Sequence, residues 1–290
     1  MDLTDELAQH RDYLVGVAYR MLGSFDEAED VVQDAALRAE RAEPRDIREP
    51  VAWLTTVVTN LSLDRLRSAR WKRESYVGPW LPEPDVGRRW NEGELANPAD
   101  RVTLDEQISL ALLTVLETLS PAERAVYVLH EAFAVPLSDV ATIVGRTPEA
   151  VRQLAVRARR HVEERAPRFE PDPAEQARVV AAFSRATTDG DLDALAQLLD
   201  EDVVFTSDGG GVVRAARRPM QGRRQVLQFI RTALANTSKA DFEPRFVNGE
   251  PGLVGRFDGG AIVFAFVVAG GRVTRIDAVA NPEKLRRLNG

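Results

Sequence analysis

The chain has 290 residues, enough for two or three domains with cores of their own. Its hydrophobic share of 44% excludes global disorder, and the lack of cysteine excludes disulfides and thiolate metal sites and suits a bacterial cytoplasm. A net charge of −7 excludes non-specific coating of nucleic acid, so any such binding has to come from local basic patches.

Three histidines (His10, His130, His161) lie too far apart in sequence to suggest a metal cluster. The longest apolar run, Ala261–Ala269, is too short to span a bilayer. The start of the chain carries Asp2, Asp5 and Glu6 and does not read as a signal peptide.

Residues 4–73 read as helical. In Asp26–Leu37, residues Ala28, Val31, Val32, Ala35 and Ala36 form the stripe expected to be buried, and Asp26, Glu27, Asp30 and Asp34 share another face. A row of like charges lowers the stability of an isolated helix. Either the face is solvated, its first acids complementing the helix N-terminus, or a basic partner neutralises it; spacing leaves both open. The helix from Pro50 turns Trp53, Leu54, Val57, Val58 and Leu61 to one side, with Trp53 expected in the core. It continues into Arg65, Arg67, Arg70, Lys72 and Arg73, five cations within nine residues and more than a helix C-terminus needs. Arg67 and Trp71 share a face, and arginine beside an aromatic suits phosphate contact and stacking on opened strands.

Residues 74–103 break the pattern with Gly78, Pro79, Pro82, Pro84, Gly87, Gly93 and Pro98, as a proline-stiffened linker carrying Trp80 and Trp90. Residues 104–165 are helical again. Ser120-Pro-Ala-Glu123 is a capping box whose helix carries Val126, Leu129 and Phe133 and ends at Pro136. Ser138 is expected to cap a short helix, Gly145 to turn the chain, and Thr147 to cap the next helix with Pro148 at its start. There Val151, Leu154, Ala155 and Ala158 point inward, while Glu149, Arg152, Gln153, Val156, Arg159 and Arg160 point outward. This is a helix-turn-helix with its second helix placed for a major groove. Arg152 and Gln153 suit guanine and adenine edges; Arg157, Arg159 and Arg160 suit phosphate. Two arginine-bearing helical surfaces in one acidic chain imply bipartite DNA recognition.

Pro167, Pro171 and Pro173 mark a second boundary. Helical patterns at 174–188 and 191–199 are followed by alternating segments with turns at Asp258-Gly-Gly260 and Ala269-Gly-Gly271, interrupted by a helix near 222–235. This is an α+β domain. Asp189-Gly-Asp-Leu-Asp193 mimics a calcium loop, but Ala194 stands where glycine is needed, so it reads as a helix cap. Asp208-Gly-Gly-Gly211 lies between strands; its glycines admit positive φ and close approach by another backbone, and it lacks the ending of a phosphate loop.

Residues 4–165 resemble the extracytoplasmic-function sigma factors of bacterial RNA polymerase. The likeness is carried by Ala18-Tyr-Arg-Met-Leu-Gly23, Asp26-Glu-Ala-Glu-Asp-Val-Val-Gln-Asp34, Trp53-Leu-Thr-Thr-Val-Val-Thr-Asn60 with the basic run after it, and Leu119-Ser-Pro-Ala-Glu-Arg124 with the helix-turn-helix. The resemblance implies a factor that binds core RNA polymerase and directs promoter-specific initiation. Asp26, Glu27, Asp30, Gln33 and Asp34 would dock on the core, which tips the acidic face toward partner binding. Asn60, Arg65, Arg67, Arg70, Trp71, Lys72 and Arg73 would read and open the minus-ten element. Arg146, Thr147, Arg152, Gln153, Arg157, Arg159 and Arg160 would bind the minus-thirty-five element. A linker of about thirty residues spans up to about 100 Å at ~3.3 Å each. The two elements are on the order of 60 Å apart at ~3.4 Å per base pair, so both are within reach at once.

Trp80-Leu-Pro-Glu-Pro84, Asp208–Gly211 and Asn281-Pro-Glu-Lys-Leu285 are similar to the signature of the subgroup with a fused SnoaL-like (NTF2-like) domain. The architecture so implied is multidomain: an all-α region 2 at 1–73, the linker at 74–103, an all-α helix-turn-helix region 4 at 104–168, and an α+β SnoaL-like domain at 172–290. Core RNA polymerase and promoter DNA are the expected partners. A small apolar ligand in the last domain stays open, and no membrane, dedicated anti-sigma protein, cofactor or metal is expected.

The regulatory contact is expected among Trp80, Leu81, Pro82, Glu83, Pro84, Asp208, Gly209, Gly210, Gly211, Asn281, Pro282, Glu283, Lys284 and Leu285. The glycine loop and tail would meet the first domain and the linker, with Trp80 as aromatic anchor. Such a domain holds the DNA-binding domains compact, assists polymerase binding, or does both, the tail inhibiting and the body assisting. Enzymes on this scaffold use carboxylates. Asp208, Asp241, Asp258 and Asp277 are candidates, but nothing in the sequence pairs them, and fold alone confers no activity, so a non-catalytic domain is expected. The alternative is a ligand-sensing helix-turn-helix regulator without sigma function, which has no use for the acidic helix or the basic aromatic run.

Overall fold

The computed structural model describes residues 3–42, 47, 49–74, 76–90, 108–165, 172–236, 241–257 and 260–289, with backbone alone at 69–74, 236 and 289. The chain forms two compact units, Met1–Ser75 with Val115–Ala166 and Tyr76–Thr114 with Pro167–Gly290. The connector stretch Tyr76–Trp90 thus folds with the C-terminal domain.

The first unit is helical: α1 (Leu3–Gln9), α2 (Arg11–Leu22), α3 (Phe25–Arg41), α4 (Pro50–Glu74), α5 (Leu110–Leu116, within which the division falls), α6 (Pro121–Tyr127), α7 (Leu137–Val144) and α8 (Pro148–Arg165). Local chemistry sets the ends. Gly23 closes α2 in the left-handed conformation, and the Ser24 side chain accepts from the Glu27 N–H to start α3. Ser120 and Glu123 form the full capping box of α6. Ser138 is not the cap of α7: Pro136 occupies that position and Ser138 sits in the first turn, its hydroxyl on Asp139. Ala28, Val31, Val32 and Ala35 are buried on α3, and Leu54, Val57, Val58, Leu63 and Leu66 on α4. Trp53 is half-buried rather than core; Thr55, Thr59 and Ser62 are buried on that helix instead. Between α6 and α7 the helix widens into a π-turn over Val128–Ala132, and Ala134 follows with φ 52°.

The second unit is α+β. Its helices are α9 (Pro173–Asp189), α10 (Leu192–Leu198), α11 (Arg223–Asn236) and α12 (Arg286–Asn289). Its strands are β1 (Val86–Arg89), β2 (Leu199–Asp208), β3 (Met220–Gln221), β4 (Asp241–Val247), β5 (Glu250–Phe257), β6 (Gly260–Ala269) and β7 (Arg272–Val279). They form one sheet in the order β1-β4-β5-β6-β7-β2-β3, with β2 parallel to β7 and the other pairs antiparallel. The Asp191 side chain caps α10, receiving the Ala194 N–H at 2.9 Å.

The apolar run of β6 serves two cores, because side chains alternate across a strand. Phe264 and Phe266 belong with Phe183, Val203, Phe205, Val226 and Trp90 on one face; Ala261, Val263 and Ala265 belong with Leu81, Leu110 and Leu285 on the other. Segments from the linker and from the tail therefore cover a face of the sheet that would otherwise meet water. Trp90 is the buried aromatic anchor of the linker, its indole N–H directed at the Arg245 and Gly252 carbonyls at 3.0 and 3.2 Å. Trp80, the expected anchor, is only half-buried, while Leu81, Pro82, Glu83 and Pro84 are buried.

Candidate functional site

On α3 the acidic face stands as expected, with Asp26, Asp30 and Gln33 exposed and Glu27 and Asp34 half-buried. Its basic partner lies in the same unit. Arg65 on α4 places one guanidinium nitrogen 3.2 Å from Asp30 Oδ2 and another 3.2 Å from Asp34 Oδ2. Arg65 therefore ties α3 to α4 and is not presented to nucleic acid in this state. Asn60 and Arg67 are exposed, Arg67 paired with Asp64 at 2.9 Å. The side chains of Arg70, Trp71, Lys72 and Arg73 lie outside the described residues.

The helix-turn-helix is α7 and α8. Gly145 makes the turn at φ 64°, and the Thr147 hydroxyl receives the Ala150 N–H at 3.3 Å. Val151, Leu154, Ala158 and Val162 are buried, leaving Arg146, Thr147, Arg152, Gln153, Arg157, Arg159 and Arg160 exposed. Four of these arginines hold carboxylates: Arg152 with Glu149 at 3.3 Å, Arg157 with Glu123 at 3.4 Å, Arg159 with Glu131 at 2.7 Å and Arg160 with Glu164 at 2.9 Å. Exposed pairs of this kind contribute little to stability.

The two helical regions, α1–α4 and α6–α8, pack into one unit. Helix α4 packs on α6 and α7, and α2 packs on the π-turn. At their seam Arg124 of α6 is 2% exposed. Its Nε donates to the Arg20 carbonyl at the end of α2 at 3.2 Å, its Nη1 pairs with Glu117, and its Nη2 has no hydrogen-bond partner. Burial pushes its pKa down to about 9, still above neutrality, so it is charged at pH 7. Phe133 sits below the π-turn with its ring edge-on to Tyr13 at 5.1 Å and the Arg20 guanidinium 4.6 Å over it. Arg124 and Phe133 carry no motif that marks them in the sequence as seam residues.

The second unit gathers the linker motif, the glycine loop and the tail around one carboxylate. Asp208, fully buried at the end of β2, receives the Tyr76 hydroxyl at 2.5 Å and the Gly210 N–H at 3.0 Å on Oδ1. Its Oδ2 receives the Leu81 N–H at 2.9 Å and the Lys284 ammonium at 2.7 Å. Lys284 also donates to the Leu81 carbonyl and lies 4.0 Å from the Trp80 ring centroid. Asn281 donates to the Tyr76 hydroxyl at 2.9 Å and receives the Glu283 N–H at 3.0 Å. Leu285 is buried, and Pro282 and Glu283 are exposed. Burial, with help from the Asp208 carboxylate, raises the Tyr76 pKa above its ordinary value. Tyr76 carries no place in the sequence motifs; its neighbour Val77 packs at Gly211, and Asn248 on the β4–β5 turn holds the Asp85 backbone.

The remaining carboxylates do not converge. Asp277 pairs with Arg275 at 2.7 Å, Asp241 is exposed at the start of β4, and Asp258 lies outside the described residues. No group of three metal-ligating side chains is found among the described residues, and no helix among them is long and apolar enough to cross a membrane.

Residues 7–72 match the family model for Sigma-70 region 2, residues 109–162 that for Sigma-70 region 4, and residues 180–280 that for the SnoaL-like domain. The ECF RNA polymerase sigma factor SigJ of Mycobacterium tuberculosis is 39% identical over 94% of this chain and 90% of its own length. A probable ECF RNA polymerase sigma factor of the same organism, SigI, is 35% identical over 96% and 93%. The crystal structure of Mycobacterium tuberculosis SigJ aligns with a TM-score of 0.73, covering 97% of this chain and 98% of that one at 35% identity.

Proposed function

The chain belongs to the extracytoplasmic-function RNA polymerase sigma factors with a SnoaL-like domain and directs promoter-specific initiation; from that premise we propose that the C-terminal domain sets this activity in cis. The observation that carries the proposal is the Asp208 node, where the connector between the two DNA-reading parts is fastened at Tyr76 and Leu81. Engaging both promoter elements requires region 2 and region 4 to part by on the order of 60 Å. In the packed unit described above they share a seam, and the connector is held over Tyr76–Trp90, which withholds about half of its ~100 Å reach. We read this as a resting form that docking on core polymerase through the α3 acidic face opens.

In this reading the C-terminal domain acts by position, with Asp208 and Asp277 each held by a cation. Transcription in vitro with core polymerase and the full chain tests the proposal. Wild type should give promoter-specific transcript, and Asp208→Asn with Lys284→Met, which neutralises the node without leaving an unpaired charge, should change its amount several-fold. Equal output from the two proteins over a range of core concentrations would end the cis-control proposal.

A further inference from the structure

We propose that the loop after the glycine turn, residues 212–219, is a further DNA-contacting surface, on the C-terminal domain, that grips the phosphate backbone. The proposal rests on the sigma-factor function and goes beyond it. From Gly209 to Gln225 the sequence holds five arginines and no acidic residue, in a chain of net charge −7. Arg214, Arg217 and Arg218 are exposed, and among the described residues none of the three has a hydrogen bond or ion pair. The contrast with α8 is plain, since four arginines there already hold carboxylates. A phosphate reaching the loop has no internal anion to displace.

The loop is also held in shape. The Val212 and Val213 N–H groups bond the Gly209 carbonyl at 3.1 and 2.9 Å, and the Ala216 N–H bonds the Ser207 hydroxyl at 2.8 Å. Arginines on a fixed backbone lose less freedom on binding than arginines on a mobile tail. The loop is also seated on the connector. Gly211 lies against Val77, and the backbone of Ala216 and Arg217 against Gly78. Arginine is suited to this contact because its fork of donors matches phosphate oxygens. Phosphate contacts position without reading sequence, so the loop would add affinity and not specificity.

The test uses holoenzyme made from the full chain, on a promoter the wild type is first shown to transcribe, so that failure of the sigma reading is seen separately. Arg214→Ala, Arg217→Ala and Arg218→Ala are combined. Promoter binding should weaken, and its log–log salt dependence should become shallower by about 2–3 units, because each phosphate contact contributes roughly 0.9. Affinity for core polymerase and the melting temperature should stay as in wild type. Lysine at the same three positions should keep most of the slope. An unchanged salt slope overturns the proposal. So does weakened binding to core polymerase with the slope intact, which would make the loop a protein-docking surface.

Discussion

Among the described residues, each unit holds a buried ionic centre joining segments far apart in sequence, and the two centres are built differently. Asp208 is fully satisfied: four donors, from Tyr76, Leu81, Gly210 and Lys284, meet its two oxygens. Arg124 is not, because its Nη2 has no partner, and the π-turn beside it exits through Ala134 at φ 52°. A buried polar group left unpaired costs free energy, as does a non-glycine residue in the left-handed region. The contrast matches what each contact has to do. On the resting form proposed above, the Asp208 node keeps the connector and tail on the sheet they cover, whereas the Arg124 seam would have to release region 2 from region 4. A stable clasp and a strained seam are what such a division of labour requires.

The largest effect that separates the two is expected at Asp208. Asp208→Ala leaves the Lys284 ammonium, the Tyr76 hydroxyl and the Leu81 and Gly210 N–H groups without their acceptor in a buried place. Breaking one side of a buried pair typically costs about 3–5 kcal/mol. Denaturant unfolding should show that loss. A change under 1 kcal/mol would mean that solvent reaches the node and that the clasp is weak. Truncation after α8 is a poorer test, since it strips the cover from Leu81 and Trp90 as well.

Next comes a pair of glycines in the same conformation. Gly210 has φ 65° and Gly145 has φ 64°, so alanine is strained at either by about 1–2 kcal/mol. A Cβ at Gly145 meets nothing within 4 Å, whereas one at Gly210 falls 2.5 Å from Asn281 Cγ. Overpacking adds about 1–3 kcal/mol where a neighbour cannot yield, and Asn281 is fixed through Tyr76 and Glu283. Gly210→Ala should therefore destabilise clearly more than Gly145→Ala. Equal losses in thermal melts would show that Asn281 moves aside and that the glycine loop is not tightly held.

A smaller effect is expected from Tyr76→Phe, which removes one donor to Asp208 and one acceptor from Asn281, at about 1–2 kcal/mol. It carries a pH signature. Burial raises the Tyr76 pKa, so the folded state favours the protonated phenol. That contribution is present in full below the ordinary tyrosine pKa of about 10 and is lost as pH rises above it. Wild type should lose stability through this alkaline window by a component that Tyr76→Phe lacks. Identical alkaline curves would place the phenol in water.

What could be read from sequence follows from how local the causes are. Ser120 and Thr147 start helices, and Gly145 ends one, because capping depends on neighbours three or four residues away. The inward and outward sides of α8 follow from periodicity alone. The second unit yielded less. β1 is four residues long with a glycine and two arginines, and its partner β4 is about 160 residues away in sequence, so no alternation betrays it. Trp90 reads as a linker residue until that strand is paired. Arg65 reads as one cation among five, and only the packing of α3 on α4 gives it to Asp30 and Asp34. Arg124, in a capped amphipathic helix, reads as surface; its burial comes from Glu117 and the end of α2. The Asp208 node was legible as three motifs, but Tyr76 belongs to none of them.

The smallest change in stability is expected where the change in behaviour should be large. Replacing Glu117 by Leu together with Arg124 by Met removes both charges of the seam and the nitrogen that has no partner. Buried ion pairs exchanged for apolar side chains of similar size are often neutral or stabilising by about 1–4 kcal/mol. The double variant should therefore melt no lower than wild type. Yet the Arg20 carbonyl loses its donor, and the end of α2 loses the cation that complements its dipole, so the tie between region 2 and region 4 weakens. If parting of the two regions limits promoter engagement, transcript per holoenzyme should rise. The same swap at Asp208 and Lys284 cannot behave this way, because the Leu81 and Gly210 N–H groups would still lack an acceptor. A double seam variant that melts several degrees lower with unchanged transcription would make Arg124 a structural pair like any other, and the distinction between clasp and seam would fall.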